Sequence, residues 1–151
     1  NAGTYILEPE IISMIPANQK ISIERDIYPK IVGNGLYGMP FEGYFIDAGT
    51  PQSYLEANFK LLEPNKKSEN KKIKDNVQIH ESSKIIESII GPNVIIGPNT
   101  IIEKCVISES VILADSKIYG AMIKKSIIGP DISLNQDIEN TLIAPEGEKV
   151  F

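Results

Sequence analysis

The sequence predicts a mixed architecture, in which a short stretch of helices and strands leads into a three-faced parallel β-solenoid of about four coils. Three observations carry this. An aliphatic residue recurs at 73, 79, 85, 90, 96, 102, 107, 112, 118, 123, 128 and 134, isoleucine everywhere except Leu134, at steps of five or six. Turn formers fill the intervals: Gly91-Pro92-Asn93, Gly97-Pro98-Asn99, Gly129-Pro130-Asp131, Glu81-Ser82-Ser83 and Ala114-Asp115-Ser116. The repeat begins only at Ile73, and the residues before it carry helix-start signals instead.

In chain order, residues 2–8 read as a strand. Pro9-Glu10 opens a helix through Ile15, with Pro at its first position and acid in its first turn. Ser22 caps a second helix, with Glu24 and Asp26 near the positive end of its dipole; capping is the simpler explanation of both acids. Extended segments follow at 36–37 and 43–47, where Tyr44 and Phe45 are expected in core and pocket wall. Thr50-Pro51 starts a last helix through Leu62, whose Tyr54, Leu55, Asn58, Phe59 and Leu62 share one face. Residues 63–72, polar and containing Pro64, are a linker, and Lys66, Lys67, Lys71 and Lys72 belong to its solvated surface. Residues 1–62 do not make a complete domain, because their strands lack partners.

From Ile73 the step is too long for strand alternation alone and does not fit a heptad. A short flat run and a turn, three to a coil, build a prism. The residue four places after each aliphatic (Val77, Ser83, Ile89, Val94, Thr100, Val106, Val111, Ser116, Met122, Ile127, Ile132, Ile138) is expected to join it in the lumen. Each large aliphatic buried there stabilises by roughly 1.5–3 kcal/mol. The ends must then be covered, and Leu142, Ile143 and Phe151 are candidates for a cap.

Composition narrows the function classes. A net charge of -5 excludes a broad basic footprint for nucleic acid. The apolar runs are far short of the roughly 20 residues that cross a bilayer, so no membrane segment is expected. One cysteine, Cys105, rules out an internal disulfide framework and suits a reducing, cytoplasmic setting. The opening residues show neither an initiator Met nor a signal-peptide pattern, and the chain reads as the middle of something longer.

The units Ile90-Gly91-Pro92-Asn93-Val94-Ile95 and Ile96-Gly97-Pro98-Asn99-Thr100-Ile101 resemble the hexapeptide repeat of left-handed parallel β-helix proteins. Acyltransferases and nucleotidyltransferases both carry that fold. Five-residue steps such as Ile102 to Val106 look more like the shortened repeats appended to nucleotidyltransferases. The segments Asn1 to Pro9, Ser22 to Pro29 and Gly43 to Pro51, followed by Ser53 to Asn58, are similar in order and spacing to the last third of the sugar-phosphate nucleotidyltransferase fold. Mannose-1-phosphate guanylyltransferases are the nearest likeness, and glucose-1-phosphate thymidylyltransferases the next.

The resemblance implies residues 1–62 as the C-terminal part of an α/β nucleotidyltransferase catalytic domain, 63–72 as linker and 73–151 as a left-handed parallel β-helix with a C-terminal cap. It implies an activity that makes an NDP-sugar, GDP-mannose foremost, and pyrophosphate from an NTP and a sugar-1-phosphate. Asn1 matches a position that contacts sugar hydroxyls, and Gly3 one where the backbone passes close to the substrate. Asp47 matches a carboxylate that, with a second Asp from earlier in such enzymes, holds Mg²⁺ against the phosphates. The Gly-rich loop, the first metal Asp and the Glu-Lys-Pro segment of the family have no match here, so no complete catalytic site is expected in this chain and the fragment alone is expected to be inactive. A homo-oligomer through or near the β-helix is also expected.

Two other classes stand beside this reading. A non-catalytic regulatory or scaffold relative, including the translation-factor exchange subunits, shares the architecture. A hexapeptide-repeat acyltransferase would need a general base, and His80, expected to face solvent on the first coil, is the only histidine. Cys105 is expected outside the main lumen positions and unactivated.

Overall fold

The computed structural model describes residues 3–43, 45–62 and 72–151. Asn1, Ala2, Tyr44 and the expected linker apart from Lys72 lie outside the described residues. The chain divides into two compact units, Asn1–Phe45 and Ile46–Phe151.

In the first unit, α1 spans Pro9–Ser13, with Pro at its start and Glu10 in its first turn. A wide π-type turn, Ile23–Ile27, runs directly into α2, Tyr28–Ile31. Ser22 caps it as expected, its hydroxyl accepting the Arg25 N–H at 3.3 Å while the Asp26 carboxylate accepts the Ser22 N–H at 2.7 Å. The segments expected as strands at 2–8, 36–37 and 43–47 form none among the described residues. An extended segment becomes a strand only when a neighbour takes up its backbone hydrogen bonds. Only Ile27 is buried among the described residues of this unit, and Ile6, Tyr37 and Met39 stand at 101%, 91% and 87% exposure.

The second unit is the three-faced parallel β-solenoid that a left-handed β-helix requires. Face one carries β1 (Val77–Ile79), β4 (Val94–Ile96), β7 (Ser110–Ile112), β10 (Ile127–Ile128) and β13 (Thr141–Ala144). Face two carries β2 (Lys84–Ile86), β5 (Ile101–Glu103), β8 (Lys117–Tyr119) and β11 (Ser133–Leu134), and face three β3 (Ile89–Ile90), β6 (Val106–Ser108), β9 (Met122–Lys124) and β12 (Ile138–Glu139). Each strand pairs in parallel with the one a coil later on the same face. The register offset shortens along the axis, from 17 residues (Val77 to Val94) through 16 (Ile96 to Ile112) to 15 (Ile127 to Leu142). Finally β14 (Gly147–Val150) turns back antiparallel on β13 and covers its free edge, pairing Thr141 with Val150. This hairpin is the cap; Leu142 and Ile143 belong to its first strand.

The lumen differs from the expected pattern in one respect. In six-residue units the residue four places on does join the core, as Val94 and Thr100 do. In five-residue units the inner place passes to the residue one earlier: Ser88, Cys105, Ser110, Ala121 and Ser126 are buried. Ile89, Val106 and Met122 then face outward, 40%, 45% and 60% exposed. Side-chain alternation runs within a strand, so the inner pair is each aliphatic and the residue two before it, whatever the length of the turn they follow. Cys105 is thereby corrected to a lumen residue, its thiol 3.1 Å from the Glu103 carbonyl.

Small polar residues in the lumen are satisfied by stacking. Ser110 donates its hydroxyl to the Ser108 carbonyl at 2.7 Å and accepts the Ser126 N–H at 3.1 Å. Ser126 repeats the pattern, donating to Lys124 and accepting from Thr141. Such pairing removes the roughly 1–3 kcal/mol cost of a buried unsatisfied group. At most corners a non-glycine residue adopts positive φ. In six-residue units it is Asn76, Asn93, Asn99, Asp115 or Asp131, as turn chemistry favours. In five-residue units it falls also on Glu87, Lys104, Glu109 and Lys125, where the stacked coils impose the conformation. Gly97 is required for another reason: a Cβ there would lie 2.9 Å from the backbone nitrogen of Ala114 in the next coil.

Candidate functional site

Asp47 lies at the start of the second unit, just after Ile46, two residues ahead of Gly49 and three ahead of Thr50. Its Oδ1 accepts the Gly49 N–H at 2.9 Å, closing a short turn over the glycine. A Cβ on Gly49 would sit 3.1 Å from that same oxygen, so glycine here is a matter of space for the carboxylate. Asp47 is exposed, and Oδ2 makes no hydrogen bond among the described residues.

Behind it, Thr50 and Ser53 form a reciprocal capping box, each hydroxyl accepting the other's backbone N–H at 3.1 Å. That box starts α3, Pro51–Leu61, with Pro at the first helical position. The apolar side of α3 packs on the outside of face one, Leu55 with Val111 and Ile127, and Tyr54 and Phe59 with Ile95, Leu113, Leu142 and Phe151 around them. The expected apolar face of this helix is thus present, and its partner is the solenoid. Adjacent aliphatics mark that outer row at Ile95-Ile96, Val111-Ile112, Ile127-Ile128 and Leu142-Ile143, but they also occur on the other faces, at Ile89-Ile90, Ile101-Ile102 and Val106-Ile107, so the doubling alone does not single out the seat.

The other expected site residues fall elsewhere. Gly3 lies in the first unit with φ +66 and no atom within 4 Å of where a Cβ would stand. Asn1 is outside the described residues. Phe45 is exposed, not a pocket wall. Glu24 accepts the Tyr5 hydroxyl, so it serves a side-chain contact beyond the helix start. The Tyr5 and Tyr28 rings meet edge to face at 5.2 Å. Desolvation, and then the charge of Glu24, hold the Tyr28 phenol above its ordinary range.

His80 is exposed on the first coil as expected. Its Nδ1 lies 2.9 Å from the Ser82 hydroxyl, which in turn accepts the Asn99 N–H. The imidazole is therefore engaged in a corner that stacks one coil on the next. Two grooves open on this unit, about 320 Å³ beside α3 at Glu56, Phe59 and Glu109, and about 350 Å³ on face three at Val106 and Met122.

Among the described residues no three His, Cys, Asp or Glu side chains converge as a metal cage would demand. Asp47 nonetheless fits a Mg²⁺ ion as one ligand among several. This hard ion binds through one or two carboxylates, with phosphate oxygens and water completing its shell.

Residues 73–150 match the family model described as the GMPPB C-terminal domain. A mannose-1-phosphate guanyltransferase of Debaryomyces hansenii is 39% identical over 74 residues, covering 48% of this chain and 20% of that protein. A mannose-1-phosphate guanylyltransferase of Mycobacterium tuberculosis is 32% identical over 65 residues, 41% of this chain and 18% of its own. A UTP--glucose-1-phosphate uridylyltransferase of Synechocystis is 37% identical over 59 residues, 38% and 15%. The matched stretches span a fifth or less of the length of these relatives.

Proposed function

The chain belongs to the GMPPB C-terminal domain family, and from that premise we propose that it is the C-terminal part of a sugar-1-phosphate nucleotidyltransferase. In this reading residues 1–62 end the catalytic domain, 63–72 link, and 73–151 form the β-helix and its cap. The observation that carries it is one compact unit, in which an exposed carboxylate, a capped helix and a shortened-repeat solenoid occur together in a family whose named relatives are nucleotidyltransferases. GTP and mannose-1-phosphate are the first substrates to test, in a cytoplasmic setting.

In the reaction, an oxygen of the sugar phosphate attacks the α-phosphorus of the triphosphate. A new P–O bond forms as the α–β bridge breaks, and pyrophosphate leaves with the electron pair. Mg²⁺, when bound, offsets charge on the entering and leaving oxygens. Asp47 would present Oδ2 to that ion while Gly49 holds Oδ1. Asn1 would meet sugar hydroxyls, and Gly3 would keep the backbone clear for the substrate, its positive φ disfavouring any side chain.

A homo-oligomer is part of this reading, supported by the exposed outward row of Ile89, Val106 and Met122 on face three. The experiment is a pyrophosphate-release assay on the complete protein with GTP, mannose-1-phosphate and Mg²⁺. Turnover that falls about 100-fold or more in Asp47→Ala is the expected result; turnover with UTP and glucose-1-phosphate alone would move the assignment to the other named relative's chemistry. No turnover with any pair would favour the scaffold class.

A further inference from the structure

We propose that the solenoid fixes the metal-binding carboxylate, with α3 as the strut, so that Val111 and Ile127 on the outside of face one are positioning residues for Asp47. This rests on the reading of Asp47 given above. Asp47, Gly49, Thr50, α3 and the solenoid all lie within one compact unit, so their relation is fixed by a single packed body.

The connection can be followed atom by atom. One carboxylate oxygen is tied to the Gly49 N–H. The next residue, Thr50, is locked into the helix start by its exchange of hydrogen bonds with Ser53. One turn later Leu55 is 6% exposed, seated on Val111 at 1% and Ile127 at 6%. Face one gives that seat as an aliphatic row, Ile95, Val111, Ile127 and Leu142, and it is the row α3 covers. At the equivalent outward place face two has Lys84, Ile101, Lys117 and Ser133, and face three Ile89, Val106, Met122 and Asp137.

A tether to a linker would not need this. It would need neither a capping box nor a glycine with space reserved for one carboxylate oxygen. A metal ligand does, because affinity depends on holding the donor in place by groups behind it, and loss of such support typically costs about 10- to 100-fold in metal affinity or activity.

The test uses the complete transferase, with Mn²⁺ and GTP followed by electron paramagnetic resonance, and amide hydrogen exchange read at Gly49 and Ser53. Val111→Ser/Ile127→Ser alters side chains that face α3, not the lumen. It is expected to speed exchange at both amides and to raise the Mn²⁺ half-saturation about tenfold, with the KM for mannose-1-phosphate within about twofold of the parent. Val111→Ile, which keeps an apolar seat, is expected to match the parent. Unchanged half-saturation in the double variant, while Asp47→Asn raises it, overturns the inference and leaves the reading of Asp47 standing. If Asp47→Asn leaves Mn²⁺ binding unaltered, the reading of Asp47 falls and the inference with it. Should the double variant not fold, Leu55→Ser removes the same seat from the α3 side and leaves every solenoid residue in place. A raised half-saturation supports the same inference, and an unchanged one sinks it.

Discussion

The solenoid and the first unit solve the burial of aliphatic side chains in opposite ways. In the solenoid Ile90, Ile107 and Ile123 stack on one another and are fully covered, while among the described residues of the first unit only Ile27 is covered and Ile6 and Met39 stand in solvent. Their sequences are not very different in apolar character. A coil finds its neighbour about sixteen residues along the chain, as Ile96 finds Ile112, so each unit brings its own partner. The segment around Ile6 pairs with no strand among the described residues, and the Ile6 side chain stays in solvent.

Ways to break this contrast follow from its residues. The largest effect is expected at the centre of the lumen, where Ile107→Ala removes a side chain held between Ile90 and Ile123. It should lose about 2–5 kcal/mol of unfolding free energy by urea titration, against a change within about 0.5 kcal/mol for Ile6→Ala. A similar loss at both positions would mean that the first unit has a core of its own. Ser126→Ala comes next, at about 1–3 kcal/mol, because the Thr141 N–H is left buried with nothing to bond; no loss would show that water reaches the ladder.

Thr50→Ala should cost about 1 kcal/mol, seen as faster amide exchange in α3 with the β6 and β9 amides unmoved. If the solenoid amides quicken as well, helix and solenoid open together. The smallest effect has the opposite sign. Lys104→Asn relieves a positive φ of 55 at an exposed corner and should stabilise by up to about 1 kcal/mol, raising the melting temperature slightly. A fall would show that the Lys104 side chain does more there than turn the chain.

The same contrast explains what could be read in advance. Ile90, Ile96 and Ile102 announce the solenoid because each step repeats the same local decision, and their burial follows from the repeat alone. The inner partners were half legible. Val94 and Thr100 follow the six-residue spacing, but Cys105 and Ser110 follow strand alternation through a shorter turn, and counting forward across that turn puts Val106 and Met122 inside where they are outside. The helix start at Thr50 was legible from its cap, whereas its seat on Val111 and Ile127 depends on pairing residues some sixty positions apart. For Asp47 the sequence shows a carboxylate in a turn; that one oxygen is held by the Gly49 N–H depends on how that turn folds.

The row of hydroxyls from Ser110 through Ser126 to Thr141 has a further consequence, for how the chain finds its register. Isoleucines are interchangeable between coils, so a folding chain could skip a coil and stack Ile96 on Ile128 with little complaint from the lumen. The hydroxyls are not interchangeable, because Val94, one coil earlier at the same place, can neither accept an N–H nor donate. A misthreaded chain that set Val94 beneath Ser126 would take away the hydroxyl that accepts the Ser126 N–H, leaving it a backbone carbonyl such as the Asn93 carbonyl that serves Ser110. The ladder therefore works as an index mark on its corner of the solenoid, telling the third coil from the second.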